Sequence, residues 1–400
     1  MTVLDRSDQP RLGYAAVLRV TGARQFLFGS AIERLGGAMF GVAVVAMVSA
    51  RTGSYSLAGA VSAGALVVLA ITAAIIGRLV DRYGQRRVTL PLVVWSTLWS
   101  VAVVAVSITG APAWTLFVTY AMSAVVGTTG TLSRARWSHL LGDQPGMLHT
   151  AMSLEQVIDE LAFVGGPAIA VVLATTVLPE AGYIAAAFFF AVGALVFLAR
   201  TDTEPPVDQV THKSTRSVLR IPGVLVVCAV SFMIGGIFGA NEIVTIATAA
   251  ELGHKGASGL ILALYALASA LAGVVYGARE DAVPAHRALW IGALAMCVLE
   301  APVLFVDSIP LLAVGLTLAG MATAPTLIVT MKLAGSLVPG NQVTESMGMV
   351  FTAMIIGIAA GSSLGGVVVQ SAGGHAGYVV PVAAAGLGAA LGFVFNRRLR

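Results

Sequence analysis

Twelve apolar runs, each close to the ~20 residues a helix needs to cross a bilayer core, alternate with short polar stretches along the whole chain. They fall at about 26–50, 57–80, 88–108, 113–133, 153–175, 181–199, 223–249, 258–277, 288–306, 310–335, 345–370 and 377–395. The pattern predicts an all-α membrane protein of twelve transmembrane helices. The longest polar interruption runs from Arg200 to Arg220. It divides the chain into an N-terminal six-helix bundle (1–199), a central loop (200–221) and a C-terminal six-helix bundle (222–400). The halves read as repeats, because Gly37-x3-Gly41 in helix 1 returns as Gly235-x3-Gly239 in helix 7. Gly77 likewise returns as Gly277, and Pro112 as Pro310.

Composition reinforces the membrane reading: 58% of residues are hydrophobic, 10% are charged, and the mean hydropathy is +0.91. No soluble globular surface can be built from that mixture. Charge adds orientation, because loops rich in Lys and Arg stay in the cytoplasm. Twenty of the 23 basic residues fall on one side. They are Arg6, Arg11, Arg19, Arg24, Arg78, Arg82, Arg86, Arg87, Arg134, Arg136, Arg200, Lys213, Arg216, Arg220, Arg279, Arg287, Lys332, Arg397, Arg398 and Arg400. Only Arg51 and Lys255 fall opposite, and Arg34 lies inside helix 1. A multi-pass protein of the cell membrane with both termini cytoplasmic satisfies this asymmetry. The net charge of +4 then speaks for lipid headgroups as partners and against nucleic acid. The polar segment Met1–Arg24 lacks the pattern of a secretory signal, and Cys228 and Cys297 fall in apolar spans as packing thiols.

One polar connection is more ordered than topology requires. Between spans 2 and 3 stands Gly77-Arg78-Leu79-Val80-Asp81-Arg82-Tyr83-Gly84-Gln85-Arg86-Arg87. Gly77 permits close helix packing and Gly84 a turn. Asp81, near a helix end, can accept hydrogen bonds from the N-terminus of a neighbouring helix or pair with an arginine. The stretch resembles the loop 2–3 signature of the major facilitator superfamily, Gly-x-Leu-x-Asp-basic-x-Gly-basic-basic. Gln85 departs from the pattern, and the second-half counterpart Gly277-Ala278-Arg279-Glu280-Asp281 is degenerate. The resemblance implies that the two halves rock about a midplane site in alternating access. It also implies that Gly77, Asp81, Arg82, Gly84, Arg86 and Arg87 form a conformational latch, with Asp81 as central acceptor and Arg82 and Arg86 as its charged partners.

Ionisable residues within spans are costly unless paired, hydrated or protonated, so they are the candidates for coupling chemistry. Glu33 leads, lying roughly 13 Å into helix 1 at ~1.5 Å per residue, and the resemblance places helix 1 on the central cavity. Arg34 points about 100° away on the same helix. In helix 5, Glu155 and Asp159 share a face at i, i+4 and can hold Arg34, with Glu160 beside them. Glu242 lies late in helix 7, toward the external mouth. Glu300 is set aside, because the resemblance makes helix 9 peripheral. Gly165-Gly166-Pro167 in helix 5 predicts a kink and resembles the Gly-Pro signature of proton-coupled antiporters, with Ala170 where a glycine often follows. Helix 4 departs from the drug-exporter pattern, because Arg134 and Arg136 come at its cytoplasmic end and leave no buried arginine within it.

No enzyme motif, nucleotide loop or metal-ligand spacing is present, and no cofactor is expected. The histidines His139, His149, His212, His254, His286 and His375 all fall in or beside loops. The reading is a secondary active transporter that exports a small organic compound in exchange for protons. The alternatives are a symporter or uniporter importing a metabolite, and a non-transporting receptor or scaffold of the same fold.

Overall fold

The computed structural model describes residues 13–207, 217–254, 257–279 and 283–399. Arg6, Arg11, His212, Lys213, Arg216, Lys255, Arg400 and the Glu280-Asp281 pair lie outside the described residues. The first six helices are α1 (Ala23–Thr52), α2 (Tyr55–Tyr83), α3 (Gln85–Thr109), α4, α5 (Pro145–Thr176) and α6 (Ala181–Leu198). The second six are α7 (Pro222–Glu251), α8 (Ala257–Gly277), α9 (Ala285–Glu300), α10, α11 (Val343–Ala372) and α12 (Val379–Val394). Both α4 and α10 come in two pieces: Ala113–Ser123 and Thr129–Leu141 in the first, Ile309–Gly320 and Thr323–Ser336 in the second.

Eleven segments of the described chain are long and apolar enough to cross a membrane, and the two pieces of α4 make the remaining expected crossing. The interruption at residues 124–128 and the arginines beyond it keep α4 from being one continuous apolar helix. Turns are short. Gly84, at φ +95°, reverses the chain between α2 and α3 in a single residue, a backbone conformation that side-chain-bearing residues resist.

Large apolar side chains such as Leu66, Ile71, Leu98, Phe188, Leu260 and Leu271 face outward. Polar ones, including Ser30, Glu33, Thr129, Ser133, Glu155 and Ser269, are buried. That inverted distribution suits lipid as the surrounding solvent, where interior polar groups bond to one another and helices associate through small residues. In the first half α1 lies against α6, with Gly29 and Gly36 facing the α6 backbone and Gly193 facing α1. In the second half α7 lies against α11 through Gly235, Gly239, Gly357 and Gly361, at each of which an added Cβ would meet backbone of the facing helix.

The repeated glycines therefore divide into two classes. Gly77 and Gly277 are equivalent in role: the first lets α2 approach Thr344 and Glu345 of α11, the second lets α8 approach Ser153 of α5. Gly37 and Gly41 are not equivalent to Gly235 and Gly239, because a Cβ at either of the first pair would meet nothing within 4 Å. The halves join at the arginine-rich end. Ser153 Oγ donates to Gly273 O at 2.5 Å, Thr150 Oγ1 to Gly277 O at 2.9 Å and Tyr14 Oη to Val274 O at 2.7 Å. At the opposite end Arg51 grips Glu180 through two hydrogen bonds of 2.7 and 3.0 Å, within the first half. That guanidinium, helped by the Ser107 hydroxyl, holds the Glu180 carboxyl below its usual range.

Candidate functional site

Helices α1, α4 and α5 enclose a charged core. Arg34, only 8% exposed, donates from Nη1 to Asp159 Oδ1 at 2.8 Å and to the Glu155 backbone carbonyl at 2.9 Å. Its Nη2 bonds Glu155 Oε2 and, at 2.9 Å, the hydroxyl of Ser30 one turn below. Glu155 Oε1 accepts from the Trp137 indole at 2.7 Å and from Ser133 Oγ. Thr129, Ser133 and Trp137 follow one another at i, i+4 along the second piece of α4, so a single stripe of that helix serves both acidic helices. Arg134 Nη2 completes the core at 2.6 Å from Asp159 Oδ2.

This arrangement corrects the expectation that α4 has no buried arginine. Arg134 is 4% exposed and Arg136 fully buried. They lie near the helix end in sequence, but the fold packs α1, α5, α6 and the 200–207 segment around that end. Arg136 lies over the Phe197 ring at 3.9 Å and bonds Gln85 and Thr203, each at 2.8 Å. It ties four segments together without meeting a carboxylate.

Charge within the core does not balance. Arg34 and Arg134 neutralise Glu155 and Asp159, and two further carboxylates remain. Glu33, 2% exposed, accepts from Thr129 Oγ1 at 2.6 Å. Glu160, 5% exposed, accepts from Gln156 at 3.2 Å and, across the interface, from Ser269 Oγ of α8 at 3.0 Å. Each is held only by neutral donors, a costly state for a buried anion.

At the arginine-rich end, Asp81 caps α11 from the other half. Its carboxylate accepts from the backbone N–H groups of Thr344 at 3.2 Å and Glu345 at 2.8 Å. There the helix dipole favours a negative charge and backbone donors lack partners of their own. The charged contact beside it is Arg78 to Glu345 at 2.7 Å. This corrects the assignment of Arg82 and Arg86 as partners of Asp81. Arg82 lies over its neighbour Tyr83, and Arg86 offers its backbone N–H to Glu204 at 3.1 Å, both with exposed side chains. Arg87 is also exposed. Because α3 begins directly after Gly84, residues beyond it are carried away from α11.

The family model of the major facilitator superfamily matches residues 26–247 and 227–399. The chain belongs to that superfamily. Similar solved structures include the human organic anion transporter MFSD10 (TETRAN), with TM-score 0.73 and 16% identity over 96% of this chain and 100% of that one. A bacterial homologue of the iron transporter ferroportin, in an outward-facing state, gives 0.73 and 14% over 94% and 99%. The transporter FucP in the outward conformation gives 0.67 and 15% over 94% and 100%. At such identities the likeness is one of fold. No curated protein matches the chain. As a member of the major facilitator superfamily it is a multi-pass membrane protein and a secondary transporter, not an enzyme.

Within that frame, Glu242 is exposed and stands apart from the charged core. The α5 helix runs unbroken through Pro167, with Gly166 turned to the backbone of α1 at Leu35 and Gly165 touching only the Leu35 side chain. Glu300, set aside on sequence grounds, is 1% exposed and neighbours Asn241 of α7. The peripheral position of α9 does not keep one of its faces from pointing into the half. Arg78, Thr129, Ser133, Trp137 and Ser269 are site residues that sequence reasoning missed, and Arg134 is one it took to be unburied. A scan for i, i+4 partners of Glu155 would not have found them, since each reaches its carboxylate from another helix.

Proposed function

We propose that this chain sits in the cell membrane with both termini on the cytoplasmic side and exports a small organic compound from the cytoplasm in exchange for protons. One observation carries the reading: the charged core holds two carboxylates, Glu33 and Glu160, beyond what its two arginines neutralise. A proton carrier must bear charge in one state and lose it in another, and a buried carboxylate without a cation meets that need. Glu160 lies at the interface itself, so opening between α5 and α8 would remove its Ser269 donor and admit water. Alternating access then alternates the environment of the acid.

Support for orientation comes from the clustering of arginines at the closed end, which also carries the first and last described residues. The same closure, together with the open faces of Gly37 and Gly41, supports an outward-open conformation. Export is supported by the Gly-Pro pair of α5 lying against α1. An amphiphilic neutral or weakly cationic substrate is supported by the commitment of Arg34 and Arg134 to carboxylates, which leaves the core no free cation for a polyanion.

The test uses reconstituted protein and an amphiphilic fluorescent dye. Proton-driven dye accumulation in inverted vesicles is expected to collapse in Glu33→Gln and Glu160→Gln, while dye binding and gradient-free exchange persist. Accumulation at the wild-type level in both variants would place coupling elsewhere. Dye uptake with the opposite dependence on the proton gradient would establish symport.

A further inference from the structure

Among the described residues the second half contains two buried carboxylates outside the charged core: Glu345, which pairs with Arg78, and Glu300, which has no cation within ion-pair distance. Glu300, at the end of α9, is 1% exposed, and its Oε1 has no hydrogen-bond partner. Beside it Asn241 of α7 is 3% exposed; its amide lies next to both Glu300 and Tyr265, yet neither amide atom meets hydrogen-bond geometry with any partner. Tyr265 of α8 reaches Asn241 and lies within the electrostatic field of Glu300, and its hydroxyl shares a 2.8 Å hydrogen bond with Thr323 Oγ1. Thr323 opens the second piece of α10, immediately after the break in that helix.

Buried polar atoms without partners are rare and call for an explanation. Here three of them, on two side chains, converge with two hydroxyls at one point where α7, α8, α9 and the α10 break meet. The titratable groups in the field of Glu300 are Tyr265, Tyr378 and Cys297, all neutral in their ordinary state, and none is a base. A negative charge without a cation, next to an unbonded amide oxygen and hydroxyl oxygens, is the donor set of a small hard monovalent cation.

We propose that Glu300, Asn241, Tyr265 and Thr323 form a cation site in the second half that takes one monovalent cation, Na⁺ or H⁺. A sodium ion would be held by Glu300 Oε1, Asn241 Oδ1 and the hydroxyls. A proton on Glu300 would instead be donated to Asn241 Oδ1, whose amide N–H could then return a hydrogen bond.

The site faces the proposed coupling machinery. Glu160 and Glu300 each lie about 22 Å along their helix from the arginine-rich end, at ~1.5 Å per residue. Tyr265 feels both carboxylates, and Ser269, one turn further along α8, donates to Glu160 and accepts from the backbone of Ala324 at 3.1 Å. Occupancy of the Glu300 site therefore bears on the same α8–α10 contact that holds Glu160.

The experiment reads binding, not transport, so it stands or falls separately from export. Thermal unfolding of the purified full chain is followed against NaCl at constant ionic strength, with choline replacing sodium, and separately against pH without sodium. If sodium is the ligand, it raises the unfolding temperature of wild type and of Glu33→Gln but not of Glu300→Gln. If the proton is the ligand, sodium has no effect, and Glu300→Gln loses part of the wild-type response to acid, additively with Glu33→Gln. Wild-type responses to both ions in Glu300→Gln overturn the site. Should that variant fail to fold, Asn241→Ala and Tyr265→Phe retain the carboxylate and are expected to weaken the response about tenfold. An unchanged response in both overturns the site equally.

Discussion

Where α1 meets α4 and α5, the first half gathers two buried arginines and four carboxylates, of which Glu33, Glu155 and Glu160 are buried and Asp159 partly so; where α7 meets α11, the second half buries four glycines. Both halves have a glycine seam that brings backbone to backbone, α1 on α6 and α7 on α11, but only the first half adds a network of charges beside it. In the first half, α1 is tied to α4 and α5 by directional bonds with several partners each. In the second, α7 is pressed so closely on α11 that backbone touches backbone. Charge networks can rearrange by moving protons and rotamers, whereas a glycine seam can only open or stay shut. The proton exchange proposed above draws on that network, and the second half has no counterpart to it among the described residues, only the isolated buried carboxylate Glu300 and the paired Glu345.

The largest effect is expected from removing the central cation of the first half. Arg34→Ala leaves Glu155 and Asp159 facing one remaining arginine, and should cost about 3–5 kcal/mol of stability. Unfolding in detergent and folded yield would report it. Adding Asp159→Asn should restore part of that loss, and strict additivity of the two substitutions would mean that they do not interact. A loss within the range of ordinary surface variants would show that the network holds nothing together.

Next comes a contrast between matched glycines. Gly239→Ala places a Cβ against Ile358 backbone and the Ser362 side chain, and should cost about 1–3 kcal/mol through overpacking. At Gly41, which faces open space, the same change should be neutral or add up to about 1 kcal/mol, because alanine is the better helix former. Equal costs at the two positions would erase the distinction between a glycine that seals a helix contact and one that faces open space. Thermal melts of the two variants decide it.

The smallest effect concerns the contact between the halves. Asp81→Asn keeps one acceptor oxygen for the α11 N-terminus but removes the charge, a loss of about 1 kcal/mol in the closed state alone. Such a bias shifts the conformational balance without affecting insertion. Distances between spin labels on α2 and α11 should broaden toward longer values. An unchanged distribution with normal transport would remove Asp81 from the latch.

How much of this could be read from the chain varies by kind of feature. The apolar runs gave the crossings, because a bilayer imposes one length on every helix that spans it. The fourth run, 113–133, bounds its helix wrongly, because the helix breaks at 124–128 and then continues through its arginines to Leu141. The pairing of Glu155 with Asp159 on one face followed from helix geometry, and so did the divergence of Glu33 from Arg34. The exposure of Arg134 could not be judged, because burial at a helix end depends on what other segments pack there. Nor could the partner of Asp81 be chosen between an arginine beside it and backbone donors 263 and 264 residues away.

Sequence alone thus determined the class, the crossings and the burial of Glu33, Arg34, Glu155 and Glu160, because those depend on local periodicity and on the cost of charge in lipid. The tertiary structure decided which charges pair, which glycines seal an interface and which face open space, and that Glu300 is turned inward. Those outcomes depend on the rotation of each helix about its axis, and that rotation is set by neighbours far away in the chain.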